Sequence, residues 1–358
     1  MKLWMVSLTV AGTCFAGTIY SVTDLGNLGG TSAAAYSINK TGATAGWATT
    51  PVGNTEGLVA VGGVFQSLGL GSQAYGINDA GQVVGTQGTH GALWTSTGMT
   101  DLGANTTAMA INNSGQIAGG NGQAILIGAG TTQELGTMGG GSWSAAYGLN
   151  DAGEVVGSAM LANGHFEAFT WTAQTGMLAL GNLGGMDSHA TSVNELGQAT
   201  GAAALSSGYQ HAVLYSNGQA LDLGSLSGTN SYGYSINDSG VVVGYSDVAG
   251  SANPHAFVYA GGVMIDLNSL IPANSGWQLL AAYAINDGGQ IVGSGLYDGQ
   301  SAMFLLNETA PAPAPTIAPL FASPLLATPE PATNGLLAVG IAALAALYRG
   351  IGVGRFKS

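Results

Sequence analysis

Cysteine and positive charge are almost missing from this chain. Its single cysteine, Cys14, lies near the N-terminus, so the rest of the 358 residues offers no thiol for a disulfide or a thiolate metal site. Five residues are basic against 18 acidic, and of the five only Lys40 falls between Lys2 and Arg349. One lysine cannot build a groove that neutralises phosphates, which excludes nucleic acid and anionic lipid surfaces as partners by charge. Charged residues of both signs make up only 6% of the chain, so solubility rests on Ser, Thr, Asn and Gln together with a net charge of −13. Runs of helix formers are scarce between positions 18 and 306, whereas the chain holds 61 glycines, and this balance favours an all-β fold. Catalytic signatures are missing as well. No nucleophile elbow, Walker loop or His-Glu-His arrangement occurs, so the chain is expected to be non-enzymatic and to need no cofactor.

What is present is one spelling repeated seven times: an apolar residue, an asparagine, a glycine three positions later and another four after that. The asparagines are Asn39, Asn78, Asn112, Asn150, Asn194, Asn237 and Asn286, and the first glycines are Gly42, Gly81, Gly115, Gly153, Gly197, Gly240 and Gly289. Copies lie 34 to 49 residues apart, the size of a four-stranded propeller blade. Before each asparagine stands a short strand, such as Ala74-Tyr75-Gly76-Ile77, and after the turn a second one, such as Gln82-Val83-Val84-Gly85. Asn and Asp bond their own backbone and Gly accepts positive φ, so Asn78-Asp79-Ala80-Gly81 reads as the tight turn of a β-hairpin. A third strand carries His90, His165, His211 or His255 near its start and Trp94, Trp171, Tyr215 or Tyr259 near its end. A fourth run finishes in Asp-Leu or Leu-Gly.

The seventh copy stops after its third strand, near Leu306, whereas an unaccompanied fourth-strand sequence, residues 19–26, precedes the first copy. Together they complete one blade. A ring closed by both chain ends leaves no dangling edge. The expected fold is therefore a seven-bladed β-propeller of four-stranded blades over residues 18–307, with the last blade closed by the N-terminal strand.

The repeated Asn-x-x-Gly-x-x-x-Gly units, the third strand spelled His255-Ala256-Phe257 and the Asp-Leu-Gly endings resemble the extracellular HAF repeat family across residues 19–306. The first and third copies lack the histidine, and the fifth has Gln198-Ala199-Thr200 where others place a β-branched pair. The resemblance implies a secreted bacterial β-rich repeat domain with no catalytic residues to carry over. The termini agree with export. Lys2, an apolar stretch over 3–16 and small residues at Ala16-Gly17 have the form of a signal peptide, assigned to residues 1–17. Residues 308–327 form a stiff Pro/Ala-rich linker. In 328–358, Pro329-Glu330-Pro331, an apolar run over 335–348 and then Arg349, Arg355 and Lys357 resemble the PEP-CTERM sorting signal. That resemblance implies a transmembrane helix with the basic tail inside, followed by cleavage near Pro329, Glu330 and Pro331 by an exosortase-type processing enzyme and release to the cell surface or extracellular matrix. A permanent anchor is the competing reading.

Three sets of residues invite a site. The acids following the repeat asparagines, Asp79, Asp151, Asp238 and Asp287, suggest calcium, but Lys40, Asn113 and Glu195 replace them elsewhere, so a turn role fits better. The third-strand histidines belong to different blades and so are expected to serve hydrogen bonding and packing, not a shared metal. Trp143 and Trp277, both placed in linkers before a first strand, are candidates for stacking on a ligand. Two functional readings follow: a non-enzymatic surface scaffold that meets extracellular polysaccharide or other surface proteins, and a carbohydrate-binding, lectin-like propeller.

Overall fold

The computed structural model describes residues 20–309. They form seven four-stranded antiparallel sheets, each a meander. Blades 1 to 6 are continuous, spanning 33–70, 72–104, 107–136, 144–179, 184–222 and 231–266. Blade 7 combines Trp277–Ile285, Ile291–Tyr297 and Gln300–Glu308 with Tyr20–Gly26, which pairs antiparallel with the last of these from Tyr20↔Glu308 inward. The composite blade is thus present, although its third strand runs on to Glu308, two residues past the expected end and one into the expected linker. Among the described residues no helix is long and apolar enough to cross a membrane. The expected signal peptide, most of the linker and the sorting segment with Pro329, Glu330, Pro331 and Arg349 lie outside the described residues.

The core is divided among the blade interfaces. Seven clusters of buried apolar side chains occur, and each joins two neighbouring blades, as where Ala118 and Leu126 of blade 3 meet Phe169 and Trp171 of blade 4. The third strand supplies the largest members, among them Trp94, Trp171, Tyr215, Phe257 and Phe304, all buried. Burying one such side chain contributes about 1.5–3 kcal/mol. Blades cannot bury these faces alone, so ring closure and core formation are the same event.

Both glycines of the repeat have a backbone cause. The first takes a left-handed conformation in every copy, with φ between +71° and +83°, and its N–H closes the turn onto the asparagine carbonyl at 2.9–3.1 Å. The second is a matter of clearance. Gly46, Gly85, Gly119, Gly157, Gly201, Gly244 and Gly293 each pair with the residue four before the asparagine, and a Cβ there would collide with the carbonyl oxygen one residue earlier, that of Ala145 in the case of Gly157. Immediately after that pair the register of each innermost strand shifts by a β-bulge. A bulge leaves one residue unpaired and re-aims it. In all seven blades that residue stands three before the asparagine.

Candidate functional site

The bulged residues are Tyr36, Tyr75, Met109, Tyr147, Thr191, Tyr234 and Tyr283, and all seven line one cavity on the propeller axis. Thr107, His189 and Tyr232, two positions earlier on their strands, complete much of its wall. The cavity holds about 580 Å³, within the usual range for small-molecule sites. Its tyrosines lean on one another at angles. Ring centroids are 5.8 Å apart for Tyr36 and Tyr75, 4.7 Å for Tyr36 and Tyr283, and 5.0 Å for Tyr234 and Tyr283, with interplanar angles of 54°, 61° and 47°. Burial raises the phenol pKa of Tyr75, Tyr232 and Tyr283, and lifts that of Tyr234 far above the ordinary phenol range, neighbouring tyrosines adding to the effect. Burial also depresses the His189 imidazole, against the opposing pull of the Asp187 carboxylate. These groups are therefore uncharged at neutral pH.

The other end of the axis is encircled by hydrogen bonds around a smaller cavity of about 230 Å³. Each repeat asparagine is buried, and its Nδ2 donates to the backbone carbonyl of the next blade's asparagine at 3.0–3.3 Å. The last link runs from Asn286 to Asn39, so the ring has seven members and no gap. Each Oδ1 accepts the N–H four residues on, at 2.9–3.0 Å. One residue further out, the side chains of Asp79, Asn113, Asp151, Glu195, Asp238 and Asp287 each accept the backbone N–H of the preceding blade at 2.7–3.0 Å. This outer ring is open at Lys40, whose side chain has no acceptor and instead places Nζ 3.0 Å from Asp79. The acids that resembled a calcium loop are thus bonds between blades. Among the described residues no group of three or more His, Cys, Asp or Glu is arranged to hold a metal ion.

The histidines are held apart as expected, each bonded to a carboxylate. Nδ1 lies 2.9 Å from Asp101 in His90, 2.8 Å from Asp222 in His211 and 2.6 Å from Asp266 in His255, which accounts for the Asp of the fourth-strand ending; His165 instead meets Asp187 at 3.3 Å. The two candidate tryptophans, Trp143 and Trp277, are neither free nor buried. Trp143 is half-buried edge-on against Phe166, centroids 5.6 Å apart, and Phe166 in turn lies 5.4 Å from the ring of His189. Trp277 opens the innermost strand of blade 7, not a linker as expected, because that strand extends far enough to pair Trp277 with Tyr297, on which it stacks at 5.2 Å. The structure therefore brings Trp143 into an aromatic series that reaches the axial cavity and leaves Trp277 on the rim of blade 7. Sequence reasoning passed over the tyrosines, although five of the seven copies carry Tyr three before the asparagine.

No protein-family model and no curated protein matches the chain. Among solved structures, a puromycin-hydrolyzing peptidase of Mycobacterium tuberculosis aligns with a TM-score of 0.54 at 11% identity, covering 82% of this chain and 55% of its own. An acylaminoacyl peptidase of Pyrococcus horikoshii aligns with a TM-score of 0.50 at 8% identity, over 80% of this chain and 53% of that one. A gluconolactonase from Xanthomonas campestris gives 0.40 at 11% identity, over 64% and 83%. The chain spans about half the length of the two peptidases. At such identities the likeness is one of fold alone.

Proposed function

We propose that this chain is an exported, non-enzymatic interaction protein, a scaffold of the cell surface or extracellular matrix that holds its partner in the axial tyrosine pocket. The observation that carries this reading is the convergence of seven bulged residues on one cavity. A propeller that served only as a rigid body would have no use for a bulge repeated in every innermost strand, since each forgoes ladder bonding to aim a side chain at empty space. The opposite mouth carries the asparagine ring around a smaller cavity of about 230 Å³, whereas the tyrosine end offers about 580 Å³ and is the roomier of the two. Export and processing through Pro329, Glu330, Pro331 and Arg349 by an exosortase-type enzyme rest on the sequence resemblance and complete the proposal.

Met109 lines the cavity and is half-buried, so Met109→Trp fills the space without deleting a hydrogen bond. The exported wild-type protein should co-sediment with the extracellular material of its own cells, and the Met109→Trp protein, with an unchanged melting temperature, should not. Equal retention of both would refute the assignment of the pocket.

A further inference from the structure

Resting on the assignment of the axial pocket as the binding site, we infer that its ligand is a linear neutral glycan. One sugar ring enters the tyrosine cavity, and the adjoining residues of the glycan run outward over His189, Phe166 and Trp143. The lining selects the class. Phenol rings offer apolar surface to the C–H faces of a pyranose, and the hydroxyls of Thr107, Tyr36, Tyr147, Tyr232 and Tyr234 offer donors and acceptors to its hydroxyl groups, while Thr191, which donates to the Thr200 and Gly233 carbonyls, and Tyr75, which donates to Gln73, can still accept. The described part of the chain has Lys40 as its one lysine or arginine, and it sits with the asparagine ring at the opposite mouth. A uronate or sulfated sugar would therefore enter without a counter-ion, close to the carboxylates of Asp187 and Asp247, which act on His189 and Tyr232. A quaternary ammonium fits less well. A cation cage needs ring faces turned to one centre, whereas here tilted neighbours cover part of each other's faces.

The extension along the mouth comes from a separate observation. Trp143, Phe166 and His189 are each half-buried and stand in succession, 5.6 and 5.4 Å between centroids, from the start of blade 4's innermost strand to the cavity wall in blade 5. Such a row offers one platform after another to a polymer and adds nothing for a ligand confined to the pocket. The carbohydrate-binding alternative thus moves from the paired indoles Trp143 and Trp277 to a pocket with one arm, in which Trp277 has no part.

Titration calorimetry of the exported protein against neutral glucose, galactose and mannose monosaccharides and their linear tetrasaccharides, with oligouronates and tetramethylammonium alongside, tests this. At least one neutral tetrasaccharide should bind. Met109→Trp should abolish its binding, and Trp143→Ala should weaken the tetrasaccharide about tenfold, as for loss of a contact residue, while leaving the matching monosaccharide within about twofold. Equal weakening of monosaccharide and tetrasaccharide by Trp143→Ala would overturn the arm. Binding of none of the neutral sugars, or binding of oligouronate or tetramethylammonium in their place, would overturn the glycan inference. The pocket assignment would outlive that result as long as Met109→Trp still abolished co-sedimentation with extracellular material.

Discussion

Replacing Asn150 by alanine tests whether the asparagine ring locks the axis. Asn150 is 3% exposed; its Nδ2 donates to the Asn194 carbonyl at 3.0 Å and its Oδ1 accepts the Glu154 N–H at 2.9 Å. In Asn150→Ala the Glu154 N–H loses its acceptor, and an orphaned buried donor costs about 1–3 kcal/mol. The Asn194 carbonyl is less exposed to loss, because it also accepts the Gly197 N–H at 3.1 Å, so removal of its second donor costs about 0.5–1.5 kcal/mol. The backbone bonds of residue 150 itself survive the change. The expected destabilisation is therefore about 2–4 kcal/mol. Asp151→Ala is the control. Its carboxylate bonds Asn113 at 2.7 and 2.9 Å but is exposed, so water replaces the lost acceptor and the cost should stay under about 1 kcal/mol. Urea unfolding followed by tryptophan fluorescence and circular dichroism reads both. An Asn150→Ala protein no less stable than Asp151→Ala would refute the argument that the ring bonds the blades together.

The repeat exposes some of this molecule to a reader of its sequence and conceals the rest for a physical reason. Backbone demands recur in every copy, so seven asparagines and seven positive-φ glycines were legible, as was the composite blade, because the unpaired 19–26 and the unfinished seventh copy have only one way to satisfy their edges. The second glycine was visible as a pattern but not as a cause, since its role is to clear a carbonyl on the neighbouring strand. The tyrosines were hidden by the alternation rule itself. On a regular strand Tyr147 would take its face from simple alternation with Ala146 and Gly148, and only the bulge turns it to the axis. Comparison down the seven copies would have found it, because a bulky ring three before the asparagine in five of them suits neither a turn nor a tightly packed blade interface. The His–Asp pairs were half legible. Residues eleven apart, such as His211 and Asp222, meet only once the third and fourth strands are in register, where Asp222 stands opposite Val213 and reaches His211 diagonally.

Gly157→Ala places a Cβ against the Ala145 carbonyl and should cost about 1–3 kcal/mol, whereas Gly128→Ala, where a Cβ meets only Gln116 at 3.5 Å, should be near neutral; equal melting temperatures would contradict the clearance argument. At the C-terminus, changing Pro329 and Pro331 to Ala should leave an uncut, membrane-retained chain, and an intact Ser358 end in wild-type surface protein, read by mass spectrometry, would show a permanent anchor instead. The pocket histidine supplies a dependence on pH whose sign is fixed. Burial holds the His189 imidazole below its usual value of about 6.5, so the unfolded chain takes up this proton first as pH falls. The unfolded state then binds more protons than the folded one, and stability must decline as pH drops through about 6.5, levelling only below the depressed folded value. His189→Gln keeps a polar side chain at the cavity wall and removes the titration. The difference in urea midpoint between wild type and His189→Gln should be constant above pH 7 and shift against the wild type as the pH falls through about 6.5, and a difference independent of pH would mean that the imidazole is not desolvated in the folded protein.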